Sequence, residues 1–243
     1  MSYGKALSSW FGIELVEVSY VEKLVAACGG GIAICVLIVI SRWVLPTGGA
    51  MAIITSMGAS AVLLFAVPHG QLSQPWAVLA GHGVSAVIGV SCARFIPDPV
   101  MAAACAVGLA IGAMHQLKCI HPPGGATAFS AVMGGSAIQS LGYQFVLTPV
   151  LLNALVMVLL AILINSGFKW RRYPASLNRP AALSKPEPFP RKSPPTHEEV
   201  VAAIKSIDSF VDVSEADLLK LTFLLSQNRE VPKSNLSHET NKS

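Results

Sequence analysis

Charged side chains are scarce in this sequence, at 12% of 243 residues. A soluble domain carries about twice that share. Between positions 24 and 168 only Arg42, Arg94, Asp98 and Lys118 are charged. So sparse a stretch does not suit a water-facing surface, and 53% of the chain is hydrophobic. Together these features describe a membrane body between a short polar head and a polar tail.

Other absences narrow the chemistry. Cys28, Cys35, Cys92, Cys105 and Cys119 show no CxxC spacing, so they read as small core residues rather than disulfides or metal ligands. There are no paired carboxylates, no HExxH and no phosphate loop followed by Lys-Ser/Thr. The expectation is therefore a protein that is not an enzyme and needs no cofactor. The histidines lack i,i+4 spacing and acidic companions, which argues against a bound metal. Basic residues of the tail are nearly matched by acidic ones, with no aromatic-basic platform, so no nucleic-acid partner is expected. Glu14, Glu17 and Glu22 precede the first apolar run, which is unlike a cleavable signal peptide.

A spanning helix needs roughly 20 apolar residues. Six segments come near that: 24–43, 49–67, 76–96, 100–117, 124–141 and 145–168. The fifth is short and rich in Gly and Ser. The expected fold is all-α and polytopic, with about six transmembrane helices and a short helical cytoplasmic tail. A re-entrant fifth segment would reduce the count to five. Residues 1–23 read as an amphipathic segment lying at the interface. The transmembrane domain takes 24–172, a Pro-rich linker 173–195 and the helical tail 196–228. Residues 229–243 have the composition of a disordered end. The basic run "KWRRYP" after the last span directs the tail to the cytoplasm.

The body contains an internal duplication. Shifted by 76 positions, "PTGGAMAIITSMGASAV" at 46–62 lies over "PPGGATAFSAVMGGSAI" at 122–138 without a gap, and nine of seventeen residues are identical. The same offset pairs Arg42 with Lys118. Two copies of three spans, 24–96 and 100–168, would enter the membrane from opposite sides as an inverted repeat, the favoured reading; if the Gly-rich segments turn back, each copy has two crossings and the copies are parallel.

Each copy starts its second span with proline and two glycines. A helix that begins inside a bilayer exposes bare N–H groups and the positive end of its dipole. Lipid cannot satisfy those donors, but an anion can. Two such starts facing one another near the midplane would bind a small anion. The expected ligands are Thr47, Gly48, Gly49 and Ala50 from one copy, and Gly124, Gly125, Ala126 and Thr127 from the other. Lys118 and His121 adjoin the second start. Arg42, His82 and His115 are candidates for drawing in the anion or coupling it to a proton, since histidine titrates near neutral pH. Gly58, Ser60, Gly81, Gly83, Gly89, Gly134, Gly135 and Ser136 read as packing residues.

The run "HPPGGATA" at 121–128 resembles the signature of the HPP family of integral membrane proteins, and the similarity covers about residues 20 to 172. The resemblance implies a compact multi-span domain. Some plastid and cyanobacterial members are implicated in nitrite transport. For this chain it implies a transporter or channel for a small monovalent anion, nitrite or nitrate first. The expected setting is a bacterial inner membrane, with the lipid bilayer, a small inorganic anion and further copies of itself in a homo-oligomer as partners. A metal or other small-solute carrier and a non-transporting assembly or regulatory protein are the other classes kept open.

Overall fold

The computed structural model describes residues 18–44 and 50–178, with backbone alone at 43–44 and 50–54. The described residues fall in one compact unit, Val18–Pro180. The amphipathic segment at 1–17, most of the linker and the tail helices lie outside the described residues.

Six helices make the body. They are α1 (Tyr20–Val44), α2 (Ala50–Ala66), α3 (Pro75–Phe95), α4 (Pro99–Gln116), α5 (Pro122–Met133) and α6 (Leu152–Ser166). A π-helical stretch, Val146–Leu151, leads into α6. Prolines open α3, α4 and α5, where a missing N–H costs nothing. Asp98 caps α4 by accepting from the Met101 N–H at 2.8 Å, the usual role of an N-cap carboxylate.

Among the described residues, four segments are long and apolar enough to cross a membrane: Tyr20–Arg42, Pro75–Phe95, Pro99–Gln116 and Val146–Ser166. The two Gly-rich helices are shorter. α2 has 17 residues. α5 has 12, about 18 Å of helix against a hydrocarbon core of about 30 Å. The fifth span expected at 124–141 is thus interrupted. The chain breaks at Gly134–Gly135, with Gly135 at φ 83, and resumes as one turn, Ser136–Gln139. A positive φ of that size suits glycine alone.

Helices in lipid gain little from apolar burial and pack through close contact instead. α3 and α5 show this. A Cβ on Gly89 would stand 2.6 Å from the Ala128 carbonyl oxygen, and one on Gly81 2.7 Å from the His121 Cβ. Ala102, Ala103, Ala106, Ala110 and Ala128 fill the rest of the α3–α4–α5 contact with small side chains. The other cluster uses larger ones, among them Leu37, Met57, Phe65, Phe145 and Met157. Of the cysteines read as core residues, Cys92 and Cys119 are buried, while Cys28 and Cys35 are exposed. Their helix faces outward on that side.

The packing follows the duplication. α1 packs on α2 as α4 packs on α5. α1 meets α6 as α4 meets α3, and α2 meets α6 as α5 meets α3. The contacts α2–α5 and α3–α6 join equivalent helices of the two copies. Exchanging the copies therefore maps this set of packed pairs onto itself.

Polar ties hold the ends of the bundle. Glu22, in the first turn of α1, pairs with Arg171, three residues past Phe168, and both are buried. Trp170 Nε1 donates to Glu22 Oε2 at 3.0 Å, and Arg171 also donates to Asn165 Oδ1 and the Phe65 carbonyl. At the opposite end of α1 and α6, Ser41 and Asn153 exchange hydrogen bonds at 3.3–3.4 Å. Tyr173 donates to the Ser73 carbonyl at 2.8 Å, and burial pushes its hydroxyl pKa up.

Two outcomes follow for stability. Gly89→Ala should lower the thermal midpoint in detergent by an amount corresponding to about 1–3 kcal/mol, because the Ala128 backbone cannot retreat cheaply. Gly108→Ala, where a Cβ meets nothing within 4 Å, should not. Arg171→Met, which strands the buried Glu22 carboxylate, should cost about 3–5 kcal/mol in the same melt.

Candidate functional site: a buried histidine pair

Two fully buried histidines of the body converge on one fully buried serine. α2 brings Ser60, α3 brings His82, and the residue capping the start of α5 is His121; all three have zero exposure. Ser60 Oγ lies 2.9 Å from His82 Nε2 and 2.9 Å from His121 Nε2. His82 Nδ1 lies 2.7 Å from Thr127 Oγ1, one turn into α5. His121 Nδ1 lies 2.8 Å from the Leu72 carbonyl in the short turn Gln71–Ser73. The two rings meet edge to face, with centroids 4.8 Å apart.

The local sequence explains the convergence. Gly81 lets the backbone of α3 approach His121, and Gly124 does the same from α5. A Cβ on Gly124 would stand 2.8 Å from Ser85 Oγ. With no side chains between them, α3 and α5 run side by side, and His82 reaches Thr127 directly. Both second-choice acceptors are backbone carbonyls. Ser60 Oγ also lies 3.2 Å from the Ser56 carbonyl, and Thr127 Oγ1 3.3 Å from the Pro123 carbonyl.

Of the residues singled out from the sequence, His82, His121 and Thr127 are brought together. Ser60, read there as a packing residue, is the centre of the cluster. Its role has no local signal, because its partners come from 22 and 61 positions away. Gly125 is half-buried with open space where a Cβ would stand, and Ala126 is exposed. Lys118, His115 and Arg42 are exposed and outside the cluster. Lys118 takes a left-handed backbone, φ 54, in the turn leaving α4.

The helix start itself offers less to an anion than the motif suggests. Pro122 and Pro123 have no N–H, and the Gly124 N–H donates to the His121 carbonyl at 2.8 Å. Gly124 brings α5 close against α3. Thr47, Gly48 and Gly49 lie outside the described residues, and Ala50 is described by its backbone only. Ser60, which touches His121, is ten residues beyond Ala50, about 15 Å along α2. His121, at the start of α5, thus meets the flank of α2 at Ser60.

A helical membrane body built around a buried histidine–hydroxyl cluster defines the class: a polytopic α-helical membrane protein. The family follows from comparison with known sequences. The family described as "HPP, transmembrane region" matches residues 16–174, and this chain belongs to it. Two transmembrane proteins of Dictyostelium discoideum are similar to it. One is 41% identical over 123 residues, covering 49% of this chain and 39% of the relative. The other is 40% identical over 126 residues, covering 50% of this chain and 44% of the relative. The match thus spans less than half the length of either relative. No solved structure matches.

Ser60→Ala removes the one hydroxyl that both Nε2 atoms address. It should lower stability by about 1–3 kcal/mol, the cost of leaving buried polar atoms unbonded, measured as a shift in the detergent melting curve.

Proposed function

We propose that this protein moves a small monovalent anion across the membrane, with nitrite and nitrate as the first candidates. The observation that carries the reading is the buried His82–Ser60–His121–Thr127 cluster. A dry membrane interior holds ionisable groups only at a cost, and they mark pathways for ions and protons. This cluster gains positive charge when it takes up a proton, and no carboxylate is hydrogen-bonded to any of its members. An anion is the partner that such a cluster favours. The work is transport and not catalysis on this reading.

Access is from the α5 end that carries Lys118. The open space beside Gly125 lies at that edge, and the exposed lysine raises the local concentration of anions. The resemblance of the HPP run to family members implicated in nitrite transport points the same way.

The topology within this proposal is six crossings in two inverted copies. The pairing of Glu22 with Arg171 puts the start of α1 beside the end of α6, which favours an even number of crossings. Asn165 Nδ2 donates to the Leu64 carbonyl at 3.2 Å, so the end of α2 comes to that same side. The exchange of packed helix pairs between copies supports the inversion. Lys23, Lys118, Lys169 and Arg172 belong to that side, against Arg42 and Arg94 on the other, which favours a cytoplasmic location for both termini of the body.

Reconstitution into liposomes tests the function. Nitrite, nitrate, chloride and formate are offered separately at two pH values. Anion-specific uptake is expected, and none above protein-free liposomes for any of the four would remove the proposal. Lys118→Asn keeps a residue that tolerates the left-handed backbone and removes the charge. It should raise the half-saturation concentration roughly fivefold at low salt, with the difference shrinking at high salt.

A further inference from the structure

The cluster fixes its own protons. The Leu72 carbonyl can only accept, so His121 Nδ1 carries hydrogen and donates to it. The Nε2 of a neutral His121 is then bare and takes the Ser60 hydroxyl hydrogen at 2.9 Å. Ser60 has no second hydrogen, so the 2.9 Å contact to His82 requires hydrogen on His82 Nε2. His82 Nδ1 is bare in turn and accepts from Thr127 Oγ1 at 2.7 Å. One arrangement satisfies all four contacts when both rings are neutral. Its hydrogen bonds run in a single direction, from Thr127 through His82 and Ser60 to His121 and Leu72.

One more proton also fits. If it goes to His82 Nδ1, that nitrogen donates to Thr127, and the threonine hydroxyl turns to the Pro123 carbonyl at 3.3 Å. If it goes to His121 Nε2, Ser60 accepts from both rings and turns its hydrogen to the Ser56 carbonyl at 3.2 Å. Each hydroxyl has one resting acceptor and one alternative. Two protons do not fit as well, because two imidazolium rings with centroids 4.8 Å apart repel strongly in a water-poor interior.

We propose that His82 and His121 form a store for one proton, switched by the hydroxyls of Ser60 and Thr127, and that it loads one proton with each anion carried. The second clause rests on the transport reading; the first does not. The step is a proton addition alone: one N–H bond forms on one ring, one hydroxyl rotates, and the cluster gains a single positive charge. A monovalent anion beside it restores neutrality.

The surroundings leave the pair to itself. α2, α5, α6 and the turn Gln71–Ser73 contribute no titratable side chain among the described residues. α4 brings Cys105 and the exposed His115, and Cys119 lies in the turn before His121. On α3 itself, Cys92 and Arg94 stand ten and twelve residues beyond His82, about 15 and 18 Å along the helix. The partner whose charge His82 senses first is therefore His121, which makes the titration a property of the pair.

Nitrogen NMR of the full chain in lipid nanodiscs tests the store with no anion transport involved. Ring-labelled histidine is used in a variant with His69, His115, His197 and His238 replaced by Gln, which leaves the pair as the signals. At high pH, hydrogen is expected on His121 Nδ1 and on His82 Nε2; the opposite tautomer on either ring overturns the proposal. On acidification the two rings together should take up one proton over the range in which the protein stays folded. Independent uptake of two overturns it. Thr127→Val should weaken the proton affinity of His82 roughly tenfold, a shift of about one pH unit. Thr127→Ser should restore it, which a merely space-filling threonine would not require. Ser60→Ala should free the tautomer choice of both rings while leaving the limit of one proton, which ring–ring repulsion sets.

The coupling clause has its own readout. In liposomes, nitrite uptake should follow an imposed pH gradient and ignore a potassium-valinomycin diffusion potential, as one-to-one loading is electrically neutral. Uptake driven by the potential would end the coupling clause while leaving the NMR result standing. Absence of uptake for every anion would end the transport reading and, again, leave the store intact.

Discussion

A bilayer offers no water to a polar group, and that constraint organises this molecule. Each buried polar side chain must find its partner inside the chain or leave a donor or acceptor bare. The structure meets the demand in three places. Glu22 and Arg171 neutralise one another at one end, Ser41 and Asn153 tie the other, and the histidine cluster closes on itself and on the Leu72 carbonyl between them. The glycines of α3 and α5 matter because they bring the backbones close enough for the last of these to close.

The cluster and the helix contact are therefore one feature seen from two sides. Gly81 and Gly124 remove side chains so that His82, His121 and Thr127 come within hydrogen-bonding distance. The His-Pro-Pro run does two jobs at the same point. His121 caps α5 and turns its ring inward. The prolines then open the helix, where a missing N–H costs nothing. A motif that looks from its composition like an anion cradle is, in its first turn, largely a device for placing a histidine.

Much of the architecture is readable along the chain, since composition and the 76-residue offset concern neighbours in sequence. The apolar runs, the proline starts and the packing glycines of α3 are of this kind. The interruption at Gly134–Gly135 was harder to read, because a glycine pair within a small-residue helix also suits close packing. Ser60 was misread for a related reason. Serine among alanines and glycines is ordinary in a packed membrane helix, and only the arrival of two rings from distant segments gives it a different task. The Leu72 carbonyl has no side-chain identity, so nothing in the sequence could mark it as the anchor of His121. The expectation of two helix starts near one anion rests on the repeat and on the bare amides of each start, and the residues of the first start, 45–49, lie outside the described residues.

The Glu22–Arg171 tie also has a bearing on how the chain is made. Its partners are 149 residues apart. When α1 emerges from the ribosome, its carboxylate has no counter-charge and will not have one until the last helix has been synthesised. The first span must therefore wait at the water-facing edge, or under the care of the insertion machinery, while the others are laid down. Closure of this end of the bundle then waits for the segment that follows α6, and a chain ending before Arg171 would leave the Glu22 carboxylate without this partner.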